Sequence, residues 1–232
     1  MAIGETHKLR YRAWLGLVAL RRCLVSVRTS RERRRRDRER LGKLRSASGL
    51  LLDVGSSSLH LPGWLSLDIE PDEHGIRMDA TKPWPFGDGS ARAIRSEHMI
   101  EHLGYEEGLA FLREAHRVLE PGGVIRVCTP DLEGISRAYL ERDPRVLEAH
   151  RRHKYVAPTW AHLVNNYARS WGHRFLYDFD ALRQMLGESG FDQVERVRFG
   201  ESRYGVLAGT DSHDMGELEL LVVCVDAVKP RA

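Results

Sequence analysis

Asp53 after Leu50-Leu51-Leu52 and Asp68 after Trp64-Leu65-Ser66-Leu67 stand where apolar runs end, and a third acid, Asp79, follows an irregular segment ahead of Ala80. At the carboxyl ends of parallel strands such acids can hold a nucleoside. Asp68 is placed to accept from a ribose diol, with Glu70 as its substitute, and Asp79 to accept from the exocyclic amine of a purine. Gly55 can take a positive φ and let backbone N–H groups approach a ligand, while Ser56, Ser57 and Ser58 add hydroxyls and amides.

A second set of residues could handle protons. His98 follows the short strand Ala93-Ile94-Arg95-Ser96 and Glu97, at the sheet edge where a general base or substrate contact would sit, although a capping or packing histidine fits the same place. His173 lies in Trp171-Gly172-His173, inside the polar and aromatic run 165–178, which suits a lid over that edge. Asp211, Ser212 and His213 occupy the long loop 205–216 and join His98 and His173 as a candidate substrate-side cluster.

The elements that must position these groups follow from hydrophobic spacing. Residues 50–54 read as a central parallel strand, apolar throughout, and residues 65–68, 93–96 and 124–127 as further strands. From Glu106 the spacing of Leu109, Leu112, Ala115, Val118 and Leu119 predicts a helix stopped by Pro121-Gly122-Gly123. A second helix is expected over 180–190 with Asp180 as its cap, and residues 194–199 and 218–225 read as strands. Alternating strands and helices of these lengths predict an α/β, doubly wound, mostly parallel sheet.

Composition bounds the partners. Residues 1–45 hold 15 Lys and Arg against 4 Asp and Glu, and the rest of the chain 21 against 29, so an anionic partner should meet the head. Within residues 9–27, Trp14, Leu15, Leu17, Val18, Leu20, Leu24 and Val25 recur at helical spacing among arginines. That basic amphipathic pattern suits an anionic membrane surface. Nucleic acid is the weaker candidate, because aromatics are not interleaved with the arginines. No run reaches the roughly 20 apolar residues of a membrane span. Cys23, Cys128 and Cys224 lack metal-ligand spacing and read as reduced packing residues of a cytoplasmic protein, peripheral to the membrane through its head.

The stretch from Leu50 to Asp131 resembles the class I S-adenosylmethionine-dependent methyltransferases. Leu52-Asp53-Val54-Gly55 looks like the first motif, Asp68 the ribose-binding acid, Asp79-Ala80 the adenine-side acid, residues 97–103 the motif after the fourth strand, and residues 116–123 the helix-turn motif before the fifth. Pro62-Gly63-Trp64, Pro130-Asp131-Leu132, Trp171-Gly172-His173 and Leu176-Tyr177-Asp178 look similar to a subgroup linked with glycan or secondary-metabolite pathways. The family's Gly-x-Gly-x-Gly turn is reduced here to Gly55-Ser56-Ser57-Ser58, and too few residues precede Trp64 for a full first helix.

The resemblance implies a seven-stranded sheet with an antiparallel final strand, and the spacing in residues 9–27 adds a basic N-terminal helix. Residues 1–45 form the head, and residues 46–232 a methyltransferase domain with substrate-side insertions near 150–178 and 200–216. It implies S-adenosylmethionine bound by Asp53, Gly55, Ser56, Asp68, Ile69, Asp79, Ala80, Glu97 and His98. The methyl group would pass to an oxygen or nitrogen of a sugar, glycolipid or small natural product, with His98, His173, Asp211 and His213 as the candidate catalytic groups. His98 and His102 stand at i and i+4 beside Glu97 and Glu101, but the methyltransferase loop explains that order and no metal is expected. The alternative is a cofactor-free binding or scaffold protein docked through its head.

Overall fold

A computed structural model of the 232-residue chain describes residues 32–33, 35–56, 60–153, 155–211 and 216–231. The chain divides into two compact units, Met1–Leu44 and Arg45–Ala232. In the first, residues 32–33 and 35–44 are helical, and Arg35 meets Glu39 across one turn at 3.6 Å. The amphipathic segment 9–27 lies outside the described residues. Among the described residues no helix is long and apolar enough to cross a membrane.

The second unit is built on a seven-stranded sheet: β1 (Leu50–Val54), β2 (Leu65–Asp68), β3 (Ile76–Arg77), β4 (Ala91–Glu97), β5 (Leu119–Pro130), β6 (Asp192–Val197) and β7 (Val222–Val228), in the order β3-β2-β1-β4-β5-β7-β6. Strands β1 to β5 run parallel, and β7 is antiparallel to both β5 and β6. The chain moves outward from β1 to β3 and then crosses back to β4. The carboxyl ends of β1 and β4 therefore flank the crevice where open α/β sheets bind ligands. No described residue between β1 and β2 is helical.

Helix α1 (Tyr105–Val118) buries Leu109, Phe111, Leu112, Ala115 and Val118. It ends before Pro121-Gly122-Gly123, because the chain has already turned into β5 at Leu119. Arg117 on its last turn donates to the carbonyls of Trp84 and Phe86 and to Asp88, which holds the proline-rich run in place. Helices α2 (Leu132–Glu141), α3 (Pro144–Arg152) and α4 (Trp160–Arg169) are capped by the side chains of Asp131, Asp143 and Thr159. They share a core of Ile135, Val146, Leu163, Tyr167, Leu218 and Leu221.

Three sequence expectations are corrected. Helix α5 (Phe179–Glu188) is capped by Asp178, whose side chain accepts from the N–H of Ala181, so it starts ahead of the expected Asp180 cap. Residues 218–221 form a 3-10 turn, and the strand begins at Val222. Cys128 and Cys224 are not separate packing residues: they are opposed in the β5–β7 register, 4.2 Å apart at Cα, and joined as a disulfide.

Candidate active site

The larger cavity, about 670 Å³, opens where β1, β2 and β4 end and is of the size that nucleotide-like cofactors occupy. Val54 and Gly55 form one side. Gly55 has φ +79°, and the N–H groups of Gly55 and Ser56 both turn back onto the carbonyl of Leu67. Asp68 lines the cavity at the end of β2, with Oδ1 accepting from the N–H of Glu70 at 2.8 Å. Asp79 and Ala80 line it from beyond β3. The hydroxyl and N–H of Thr81 donate to Asp79 and hold its carboxyl below the usual range, keeping it ionised. Ile69, an exposed apolar side chain, adds a hydrophobic wall.

Asp53 and Glu97 do not line this cavity. Arg95, almost wholly buried, donates to Asp53 at 2.9 Å and pairs closely with Glu97, tying the ends of β1 and β4 together. Burial pushes the Asp53 pKa up to about 6 in spite of the arginine. A charge inside the run Ala93-Ile94-Arg95-Ser96 was the sequence signal for this buried ion pair. Ser56 is buried and likewise absent from the cavity wall.

The smaller cavity, about 210 Å³, is lined by His98, Glu101, His102, Pro130, Tyr155, Tyr167, Trp171 and His173. His98 and His102 belong to both cavities. His98 sits at φ +51° directly after β4, fixed by its N–H to the carbonyl of Cys128, and its Nδ1 lies 3.2 Å from Glu101 Oε1. Glu101 has no exposed surface, and its second oxygen accepts from the Thr129 hydroxyl at 3.0 Å.

The loop bearing Trp171 and His173 reaches this place through backbone. The N–H groups of Arg174 and Phe175 donate to the carbonyl of Glu101, and Trp171 and Gly172 take positive φ values of 56° and 85°. His173 donates from Nδ1 to the carbonyl of Tyr167 at 2.7 Å and stands edge-on to His102 at 5.0 Å. Burial lowers its pKa and favours the neutral ring. Trp171 packs against Tyr155 and Tyr167 at 5.2 and 5.9 Å.

The structure thus brings His98 and His173 to one cavity, but not Asp211. That acid is buried in a two-pronged pair with Arg126, at 2.8 and 2.6 Å, and lines neither cavity. His213 lies outside the described residues. Tyr155, not singled out in the sequence, also lines the smaller cavity, and Arg174 from the run 165–178 lines the larger one; both come to the site across long sequence separations, whereas Glu101 stands three residues from His98.

The strand order, the antiparallel β7 and the crevice at β1 and β4 define the Rossmann-like methyltransferase fold. Within it, residues 66–127 match the family model of the methyltransferase domain, a segment that holds Asp68, Asp79, His98 and Glu101. No curated protein matches the chain. Among solved structures it is similar to the S-adenosylmethionine-dependent methyltransferase SibL in its apo form, at 18% identity and TM-score 0.47, over 79% of this chain and 51% of that one. A methyltransferase from Thermotoga maritima, described as a possible histamine N-methyltransferase, is 15% identical at TM-score 0.49, over 83% and 87% of the two chains. A SAM-dependent methyltransferase from Archaeoglobus fulgidus is 17% identical at TM-score 0.45, over 84% and 91%. The chain spans about half the length of SibL and of the CurJ carbon methyltransferase.

Proposed function

We propose that this chain is an S-adenosylmethionine-dependent methyltransferase whose acceptor, a sugar, glycolipid or small natural product, presents an oxygen or nitrogen in the smaller cavity. The observation that carries the reading is the common wall: His98 and His102 line both a large cavity bearing the carboxylates of Asp68 and Asp79 and a small one bearing aromatic rings. The large cavity fits the cofactor's groups. Asp68 would accept from the ribose hydroxyls, Asp79 from the adenine amine, and Ile69 would cover the base. When bound there, S-adenosylmethionine supplies a methyl group activated by a sulfonium.

The chain's own task is alignment and proton transfer. Tyr155 and Trp171 offer faces against which a ring-shaped acceptor can lie. His98 stands at the boundary, and Glu101 next to its Nδ1 orients the ring and stabilises it once protonated. A hydroxyl acceptor held there would give its proton to His98 as it takes up the methyl group, and the cofactor would keep the electrons of the broken carbon–sulfur bond as a neutral thioether.

The excess of basic residues in the head supports docking of residues 1–45 on an anionic membrane, which would bring a lipid-linked acceptor within reach. Calorimetric titration with S-adenosylmethionine and its demethylated product tests the central reading. Saturable binding weakened by Asp68→Ala supports it, and no binding by the folded chain would overturn it.

A further inference from the structure

We infer that Glu101, His102 and His173 form a site for one divalent transition-metal ion in the wall of the smaller cavity. One ligand atom from each residue lies within 4.8 Å of the other two. Small side-chain rotations would bring them to the roughly 3.3 Å spacing expected of tetrahedral ligands about 2.0–2.1 Å from zinc. Two imidazoles and one carboxylate suit zinc, cobalt or iron and leave coordination positions open to the cavity. The i, i+4 pair of His98 and His102, visible in the sequence, is not the grouping that forms. His102 instead meets His173, which comes from 71 positions further along the chain.

Two independent features favour an ion. First, the surrounding hydrogen bonds already orient the ligands. His173 has its Nδ1 committed to the Tyr167 carbonyl, which directs Nε2 as the remaining ligand atom, and Thr129 donates to Glu101. Second, the other buried acids at the sheet have a guanidinium. Asp53 and Glu97 share Arg95, Asp211 and Asp226 share Arg126, and Asp131 meets Arg196. Glu101, with no exposed surface, has only histidine as an ionic partner among the described residues. A divalent ion would supply the missing positive charge. The other clustered group, Cys128, Cys224 and Asp211, offers no such site, because its sulfurs are bonded to each other and its acid is paired with Arg126.

The site does not depend on methyl transfer. If that reading also holds, an open coordination position would bind the acceptor oxygen and ease loss of its proton to His98.

The test is a cobalt(II) titration of the full-length, chelator-treated protein near neutral pH, without S-adenosylmethionine, read by visible absorption and calorimetry. The expected result is one ion per chain with ligand-field bands. His102→Ala, His173→Ala and Glu101→Gln should each weaken binding at least about tenfold, and Thr129→Val, which removes only the supporting donor, by about tenfold. His60→Ala, at an exposed pair with Asp72, should change nothing. Thermal unfolding of the metal-free variants establishes that they fold, and the near-isosteric Glu101→Gln and Thr129→Val keep the test decisive if an alanine variant does not. Absence of one-to-one binding, or binding equal in Glu101→Gln and wild type, would overturn the site. Cofactor titrations with and without the ion separate that failure from failure of the methyltransferase reading.

Discussion

A Cβ placed on Gly55 would lie 2.4 Å from the Cβ of Met99, so the turn after β1 and the segment after β4 touch through a position that only glycine can occupy. Its φ of +79° adds a second reason. Gly55→Ala should therefore displace the cavity wall and cost about 1–3 kcal/mol of stability, as overpacking generally does. Thermal unfolding together with cofactor calorimetry checks this, and wild-type affinity in the variant would remove Gly55 from the binding site.

Asp68 and Asp79 are expected to act separately on the cofactor. Hydrogen bonds to charged groups are worth about 1.5–3 kcal/mol, so Asp68→Ala should weaken binding roughly tenfold to hundredfold. Asp79→Ala should weaken an adenine nucleoside more than an analogue lacking the exocyclic amine. Competition titrations with the two ligands read the difference.

The stability of the fold should carry the signature of Asp53. Its pKa is raised from an ordinary 3.8 to about 6, chiefly by burial, so between those values the folded chain binds a proton that the unfolded chain does not. Stability from this group therefore rises as pH falls through 6 and is lost as pH climbs above it, by on the order of 2–3 kcal/mol. Urea unfolding of wild type and Asp53→Asn across this range should show the difference between them growing toward acid. A constant difference would contradict it.

Replacement of His98 separates chemistry from binding. His98→Gln should lower turnover of a hydroxyl acceptor by about 10²–10⁴, the usual contribution of a general base, while cofactor affinity changes little. Equal loss in affinity and turnover would instead make His98 a wall residue.

Sedimentation of the intact chain with anionic liposomes should weaken with salt, and deleting residues 1–45 should abolish it and leave cofactor affinity unchanged. Equal sedimentation of the truncated protein would exclude the head as a membrane anchor.

The parallel strands β1, β2, β4 and the centre of β5, the glycine turn and the acid at Asp68 were legible in the sequence because they are local: an apolar run, a turn residue and a strand-end carboxylate announce themselves within a few positions, whereas the two-residue β3 before Asp79 carries too little pattern to be read. The cap of α5 and the start of β7 were misread by a few residues, since a neighbouring Asp could cap equally well and apolar residues 218–221 fit a turn as readily as a strand. Side-chain alternation also could not reveal which polar residues face inward. Asp53, Glu97 and Asp211 look like site residues by position, yet buried arginines claim them: Arg95 takes Asp53 on the neighbouring strand and Glu97 on its own, and Arg126 on β5 takes Asp211. Only tertiary structure joined Glu101, His102 and His173, because their meeting depends on a backbone contact from Arg174 and Phe175 to the Glu101 carbonyl across a long loop. Such closure is decided by the packing of whole elements, which short-range periodicity does not encode.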